Sequence, residues 1–217
     1  MIPMMTKVSL VRHGLVENPG QVYYGRLPGF GLAPLGQAQA AAAGDYLKDG
    51  AVDAIYHSPM LRARQTAEII RSRCGQTTPL AECDLLNEIL SAYDGQSVAE
   101  MERRDWDFYH EVSLPYEQPE DVLARIVAFF DLARHKHPGR HVVGVSHADP
   151  IAFAIMWANQ LPLSADQRKQ LIVCGVPDSY PAPASISTFS FAATAERALL
   201  EFCYHAPSVP GTGPNDD

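Results

Sequence analysis

Val8-Ser9-Leu10-Val11-Arg12-His13-Gly14 is the stretch whose reading decides the fold of this chain. Four residues suited to a buried strand run straight into a guanidinium and an imidazole, and the glycine after them lets the backbone turn sharply. A strand ending this way delivers a cation and a nucleophile to the carboxyl edge of a sheet, where ligands bind in open α/β folds. The tripeptide Arg12-His13-Gly14 is weak by itself, since ordinary residue usage produces it in about a few per cent of chains this long. A second histidine and a second arginine are required.

Two later strand-to-helix junctions supply them. Ala51 to Tyr56 reads as a short apolar strand interrupted by Asp53, with Ser58 as N-cap and Pro59 as first residue of the next helix. Met60, Ala63, Ala67, Ile70 and Cys74 recur on one face of that helix, and Arg62 falls in its first turn. Arg64 competes with Arg62, but residues two apart face nearly opposite ways, so Arg64 is expected as a solvated surface cation. His141 to Val145 is the third apolar strand. It runs into Ser146-His147-Ala148-Asp149-Pro150, where Asp149 is placed to cap and Pro150 to open an apolar helix through Trp157.

Between these junctions, the Gly-, Pro- and aromatic-rich stretch from Asn18 to Gly31 reads as a wall of the site, and Pro34 opens an alanine-dense helix to about Leu47. A short strand over Thr78 to Glu82, a polar helix over Val98 to about Tyr109, and a helix from Pro119 with Leu123, Ile126, Val127 and Phe130 inward complete the middle. Ser185 to Phe191 and Ala198 to Tyr204 predict a hairpin around Thr194-Ala195-Glu196-Arg197. Strands alternating with helices give an α/β doubly wound, mostly parallel sheet, and the hairpin adds an antiparallel edge strand. Residues 1–205 are expected as a single domain and 206–217 as a disordered tail of Pro, Gly and acid.

The 217 residues carry a formal net charge of -8, whose average field opposes general binding to nucleic acid or to an anionic membrane. A small anion would need capture by local arginines. Cys74, Cys83, Cys174 and Cys203 are scattered with no Cys-x-x-Cys pair, and no apolar run resembles a signal peptide or spans a bilayer. They read as reduced core thiols of a cytoplasmic protein. His135, His137 and His141 straddle a helix end and Pro138-Gly139, so capping or exposure is expected of them rather than metal ligation.

Two guanidiniums, two imidazoles and a helix start suit a phosphoryl group, because planar donors match its oxygens and the helix dipole favours its charge. Leu10 to Gly14, Ser58 to Glu68 and Val145 to His147 resemble, in order, the three signature blocks of the histidine phosphatase (phosphoglycerate mutase-like) superfamily. Gly25-Arg26, Leu32, Gly36 and Gln39-Ala40 resemble a further block, so the likeness runs from Val8 to Phe191. The resemblance implies a three-layer α/β/α sandwich and a phosphohistidine mechanism with no cofactor and no metal. His13 would attack phosphorus, Arg12, Arg62 and His147 would hold its oxygens, and Glu88 would protonate the leaving oxygen. Asn18, Tyr24, Arg26 and Ala148 are implied as substrate contacts. The run from Glu88 to Gly95 is one residue shorter than the usual block, so Asp94, Glu82 and Asp149 stand as rival acids, and Leu15 in place of a common acid is a separate departure that bears on the substrate contacts. Tyr23, Tyr24, Arg26 and Phe30 read equally as substrate wall or as loop packing.

The function expected is metal-independent hydrolysis of a small phosphorylated metabolite. The alternative is a mutase returning phosphate to a bound sugar-acid phosphate, which needs extra cations and a site closed to water. Between Leu85 and Pro119 the cations, His110 aside, are Arg103 and Arg104 amid Glu100, Glu102, Asp105 and Asp107, which favours hydrolysis. A phosphate-binding module with decayed chemistry is a third reading, opposed by the intact His13, Arg12, Arg62 and His147. Association into a homodimer is left open.

Overall fold

The computed structural model describes residues 5–192 and 199–209. Its strands are β1 (Met5–Arg12), β2 (Val52–His57), β3 (Leu80–Glu82), β4 (His141–Ser146), β5 (Ile186–Ala192) and β6 (Leu199–His205). They form a six-stranded sheet in the order β3-β2-β4-β1-β5-β6. β2 pairs in parallel with β3 and β4, and β4 with β1, whereas β5 runs antiparallel to both β1 and β6.

The helices are α1 (Pro34–Leu47), α2 (Leu61–Cys74), α3 (Val98–Arg103), α4 (Pro119–Lys136) and α5 (Ala148–Ala158). Side-chain alternation along the central strands feeds two cores. Val11, Ile55, Val143 and Val145 meet Ala43 and Leu47 of α1 and Ala63, Ala67 and Ile70 of α2. Val8, Leu10, Val142 and Phe189 meet Ile126, Phe129 and Phe130 of α4 and the apolar α5 on the other face. The result is helix, sheet, helix. β1 hands over to a helix on one face and its neighbour β4 to a helix on the other, which opens a crevice between their carboxyl ends.

Several local expectations are corrected. Pro34 does open α1, and Pro119 opens α4 within a capping box in which Gln118 and Asp121 each accept the other's backbone N–H. Ser58-Pro59 does not start α2: the N-cap is Met60, and Ser58 Oγ is turned to other partners. Asp149 is not the N-cap of α5, a position held by His147, because its carboxylate is bound by Arg168 and two tyrosines. The helix from Val98 stops at Arg103, since Asp105 and Trp106 take positive φ values of 49° and 53° and reverse the chain.

The four cysteines are unpaired, but Cys203 lies on the outer strand β6 and is exposed, so it is no core thiol. β5 and β6 pair as the hairpin reading requires. Its turn at 194–197 and the tail beyond 209 lie outside the described residues. No helix among the described residues is long and apolar enough to cross a membrane.

Candidate active site

Main-chain hydrogen bonds close the carboxyl edge of the sheet. His13 N donates to Ser146 O at 3.0 Å and Ser58 N to Val145 O at 2.9 Å, so the ends of β1, β2 and β4 are tied together. Gly14 matters through contact. Its φ is not in the positive region, and a Cβ on it would fall 2.2 Å from the carbonyl oxygen of Gly36 in α1. Glycine there lets the first helix close on the histidine-bearing turn.

His13 is buried, and its Nδ1 lies 2.8 Å from Gly14 O. That bond fixes the neutral ring with the proton on Nδ1 and leaves Nε2 with its lone pair. Burial, Arg62, His147 and Arg12 hold its proton affinity well below that of a free imidazole, against the opposing pull of Gly14 O.

Arg62 is 1% exposed, and its Nη2 reaches Gly25 O at 2.8 Å, His147 Nδ1 at 3.1 Å and Glu88 Oε2 at 3.3 Å. His147 Nε2 is 2.8 Å from Ser58 Oγ, so the neutral ring donates to the serine and accepts from the arginine. Burial and the Arg62 charge bring its pKa down to about 4, although Glu88 opposes them. Burial alone would make Glu88 harder to ionise, but Arg62 and the Ile89 N–H, 2.9 Å from Oε1, together with His147 whenever that ring is protonated, hold its carboxyl well below the usual range. Arg12 donates through Nη1 to Pro181 O at 2.7 Å. The Nε atoms of Arg12 and Arg62 are both buried and unpartnered.

A ligating atom each of His13, Glu88 and His147 lies within 4.8 Å of the others. Arg62 is already in contact with two of the three, so the cluster is set to meet an anion. His135, His137 and His141 do not form a ligand set. His135 is exposed, His137 bonds Asp53 and Tyr56, and His141 bonds Ser9 and Gly50 O.

Arg12, His13 and Glu88 line a cavity of about 500 Å³ together with Asn18, Tyr24 and Ala148. Arg26, expected as a substrate contact, is outside that lining. Its Nε donates to Glu88 O at 2.8 Å and its Nη2 to Glu117 Oε2 at 3.0 Å, so it braces the Glu88 segment from behind. Arg64 is exposed, as expected from its place opposite Arg62. Of the rival acids, Glu82 is exposed on β3, and Asp94 accepts from Arg26 N behind Gly25. Asp149 does share the cavity, but both its oxygens are held by Arg168 Nε at 3.0 Å, with Tyr109 and Tyr180 hydroxyls added.

A family model described as the histidine phosphatase superfamily (branch 1) matches residues 8–177. The chain belongs to that superfamily. Among relatives of this chain, the uncharacterized protein Rv0525 of Mycobacterium tuberculosis (strain ATCC 25618 / H37Rv) is 38% identical over 160 residues, covering 69% of this chain and 77% of that one. The uncharacterized phosphatase PhoE of Bacillus subtilis (strain 168) is 30% identical over 148 residues, 68% of this chain and 74% of that one. The solved structure of Bacillus stearothermophilus YhfR superposes with a TM-score of 0.72 at 24% identity, over 89% of this chain and 96% of that one. That of the mycobacterial glucosyl-3-phosphoglycerate phosphatase Rv2419c gives 0.71 at 22% identity, over 93% and 98%. At such identities these two structures speak for the shared fold.

In this member of the superfamily several site residues were silent in the sequence. Ser58, the partner of His147 Nε2, looked like a helix cap. Arg168, Lys169, Asp178 and Tyr180 reach the cavity from a stretch of short 3-10 turns between α5 and β5, where neither periodicity nor motif marks them. Trp106 and Phe108 enter it because α3 stops early.

Proposed function

We propose that this histidine phosphatase hydrolyses small phosphate monoesters through a phosphorylated His13, without a metal. The observation that carries the reading is the setting of His13: a buried imidazole locked by Gly14 O and kept neutral by burial and by the charges of Arg62 and Arg12, whose own buried Nε–H groups lack partners. Such a ring is a nucleophile at neutral pH, and the arginines are pre-set for the charge of a transferring phosphoryl group.

In the first step Nε2 attacks phosphorus in line, forming the P–N bond as the ester P–O bond breaks. The leaving oxygen takes a proton from Glu88. Glu88 is ionised in the empty cavity; an arriving phosphate dianion supplies the negative charge that raises its proton affinity, so it takes up a proton from solvent as substrate binds and gives it back when inorganic phosphate leaves. Arg12, Arg62 and His147 hold the non-bridging oxygens. In the second step water attacks phosphorus and gives its proton to Glu88, the P–N bond breaks, and inorganic phosphate leaves with His13 neutral again.

The cations that are scarce between Leu85 and Pro119 come from Arg168 and Lys169, yet each is already matched, by Asp149 and by Asp105. The cavity therefore offers a sugar-acid carboxylate no unpaired partner from these two, and hydrolysis is favoured over phosphate return. The test is p-nitrophenyl phosphate turnover with and without EDTA, with rapid acid and base quenching of enzyme labelled by radioactive substrate. The expected results are chelator-insensitive release and a label that is acid-labile, alkali-stable and absent from His13→Ala. Loss of activity on chelation, or an unimpaired His13→Ala enzyme, overturns the reading.

A further inference from the structure

The part of the cavity beyond the phosphoryl cluster has a composition of its own. Tyr23, Ile89, Val98, Trp106, Phe108 and Tyr180 line it. Tyr23 and Phe108 are packed at 4.6 Å between ring centroids and Trp106 stands 6.3 Å from Phe108, so the wall is a continuous aromatic surface. Trp106 is only half-buried and is placed there by two consecutive residues of positive φ, an arrangement that costs energy and persists only where its surroundings hold it.

Charge is balanced in the same region. The ionic groups of the lining are Arg12, Arg168 and Lys169 against Glu88, Asp149 and Asp178. Arg168 spends Nε on both oxygens of Asp149, Nη1 on Ala165 O and Nη2 on Trp106 O, and its guanidinium lies over the rings of Phe108 and Tyr109. Lys169 is paired with Asp105 at 3.0 Å. A second anionic group on the substrate would have to displace the buried Asp149 from Arg168 or compete with the exposed Asp105 for Lys169, and would face Asp178. A flat apolar group would instead bury its faces against rings and displace water from them.

Building on the hydrolytic reading above, we propose that the natural substrates are phosphate monoesters whose alcohol portion is uncharged and carries an aromatic or comparably flat apolar group seated on Trp106 and Phe108. The experiment compares kcat/KM for 2-naphthylmethyl phosphate and glycerol 1-phosphate, two primary alkyl esters whose chemical reactivity is closely matched. The naphthyl ester is expected to be favoured at least about tenfold, equivalent to about 1.4 kcal/mol, and the ratio is expected to fall below that in Trp106→Ala and in Phe108→Ala. A ratio below tenfold in the parent enzyme overturns the proposal, and so does a ratio that survives both substitutions.

A second measurement on the parent protein is independent of turnover and of how the variants fold: calorimetric binding of 2-naphthylmethyl phosphonate against methylphosphonate. Preference for the naphthyl compound with no hydrolysis of either ester would uphold the pocket and sink the hydrolytic reading. Equal binding with intact hydrolysis would do the reverse.

Discussion

Arg62 Nη2 stands 3.1 Å from His147 Nδ1, deep under the sheet edge, and the same nitrogen reaches the Glu88 carboxylate at 3.3 Å. One guanidinium therefore adds to burial in keeping an imidazole neutral and helps to keep a carboxylate ionised, the two coming from remote parts of the chain. Its Nε remains unpartnered.

Arg62→Lys is expected to lower kcat by about 10²- to 10³-fold, because an ammonium cannot hold Gly25 O, His147 and a phosphoryl oxygen from one planar fork. Steady-state kinetics checks this, and a loss below about tenfold contradicts it. Arg62→Ala leaves the Glu88 charge buried without its guanidinium and is expected to cost about 3–5 kcal/mol in urea unfolding.

Stability should fall with acid. His13 and His147 bind protons less readily folded than unfolded, so the unfolded chain takes up more protons below pH 6.5 and the folded state loses ground as pH drops toward about 4. Glu88, whose folded carboxyl is held down, adds stability above its unfolded value near ~4.3 that disappears below it. Urea midpoints should therefore decline from pH 7 to pH 5 and further toward pH 4. Catalysis should tolerate the upper part of this window, since His13 stays neutral there. An acidic limb in kcat/KM with an apparent pKa at or above 6.5 would contradict the state assigned to His13.

Glu88→Gln should slow alkyl phosphates by about 10²-fold or more while p-nitrophenyl phosphate, whose leaving group needs no proton, loses less than about tenfold. Equal losses on both substrates would remove Glu88 from the role of acid and leave Asp149 to be tested by Asp149→Asn.

Arg26→Ala should reproduce that leaving-group dependence in weaker form, about 10-fold on alkyl phosphates, because Arg26 holds the Glu88 carbonyl at 2.8 Å while bound to Glu117. Partial recovery in Arg26→Lys is expected. A uniform loss on all substrates would make its role merely structural.

Gly14→Ala should lower stability by at least about 2 kcal/mol in urea unfolding, since the new methyl meets the backbone of Gly36 and neither segment has a flexible tip to yield. An unchanged midpoint would show that α1 can retreat from the turn.

The sequence disclosed the strand ends and the residues on them, because three apolar runs that each pass into a turn or helix carrying Arg12-His13, Arg62 or His147 support one another where one alone would be weak. Helical phase separated Arg62 from Arg64 with the same directness. What stayed hidden depends on partners remote in the chain. Ser58 has the chemistry of a cap, but His147 claims its hydroxyl; Asp149 has the chemistry of a cap too, but Arg168 claims it. The early end of α3 rests on two left-handed residues that carry no local signal, Asp105 and Trp106, and with it goes the aromatic wall. The resemblance implied Arg26 as a substrate contact while the residues alone left loop packing equally open, and its bonds to Glu117 and to Glu88 O, both remote in the chain, could not be read locally.

β1 lies between β4 and β5, so Val8 aligns with Val142 on one side and Phe189 on the other. During synthesis the ribosome releases this strand first and its neighbours late. Until they emerge, the nascent chain carries a sticky apolar ribbon with both edges open, which exposes it to wrong pairing with other chains. The cluster around His13 should consequently assemble only once β4 and β5 have emerged, and fragments ending before β4 should precipitate or be held by chaperones rather than show partial activity.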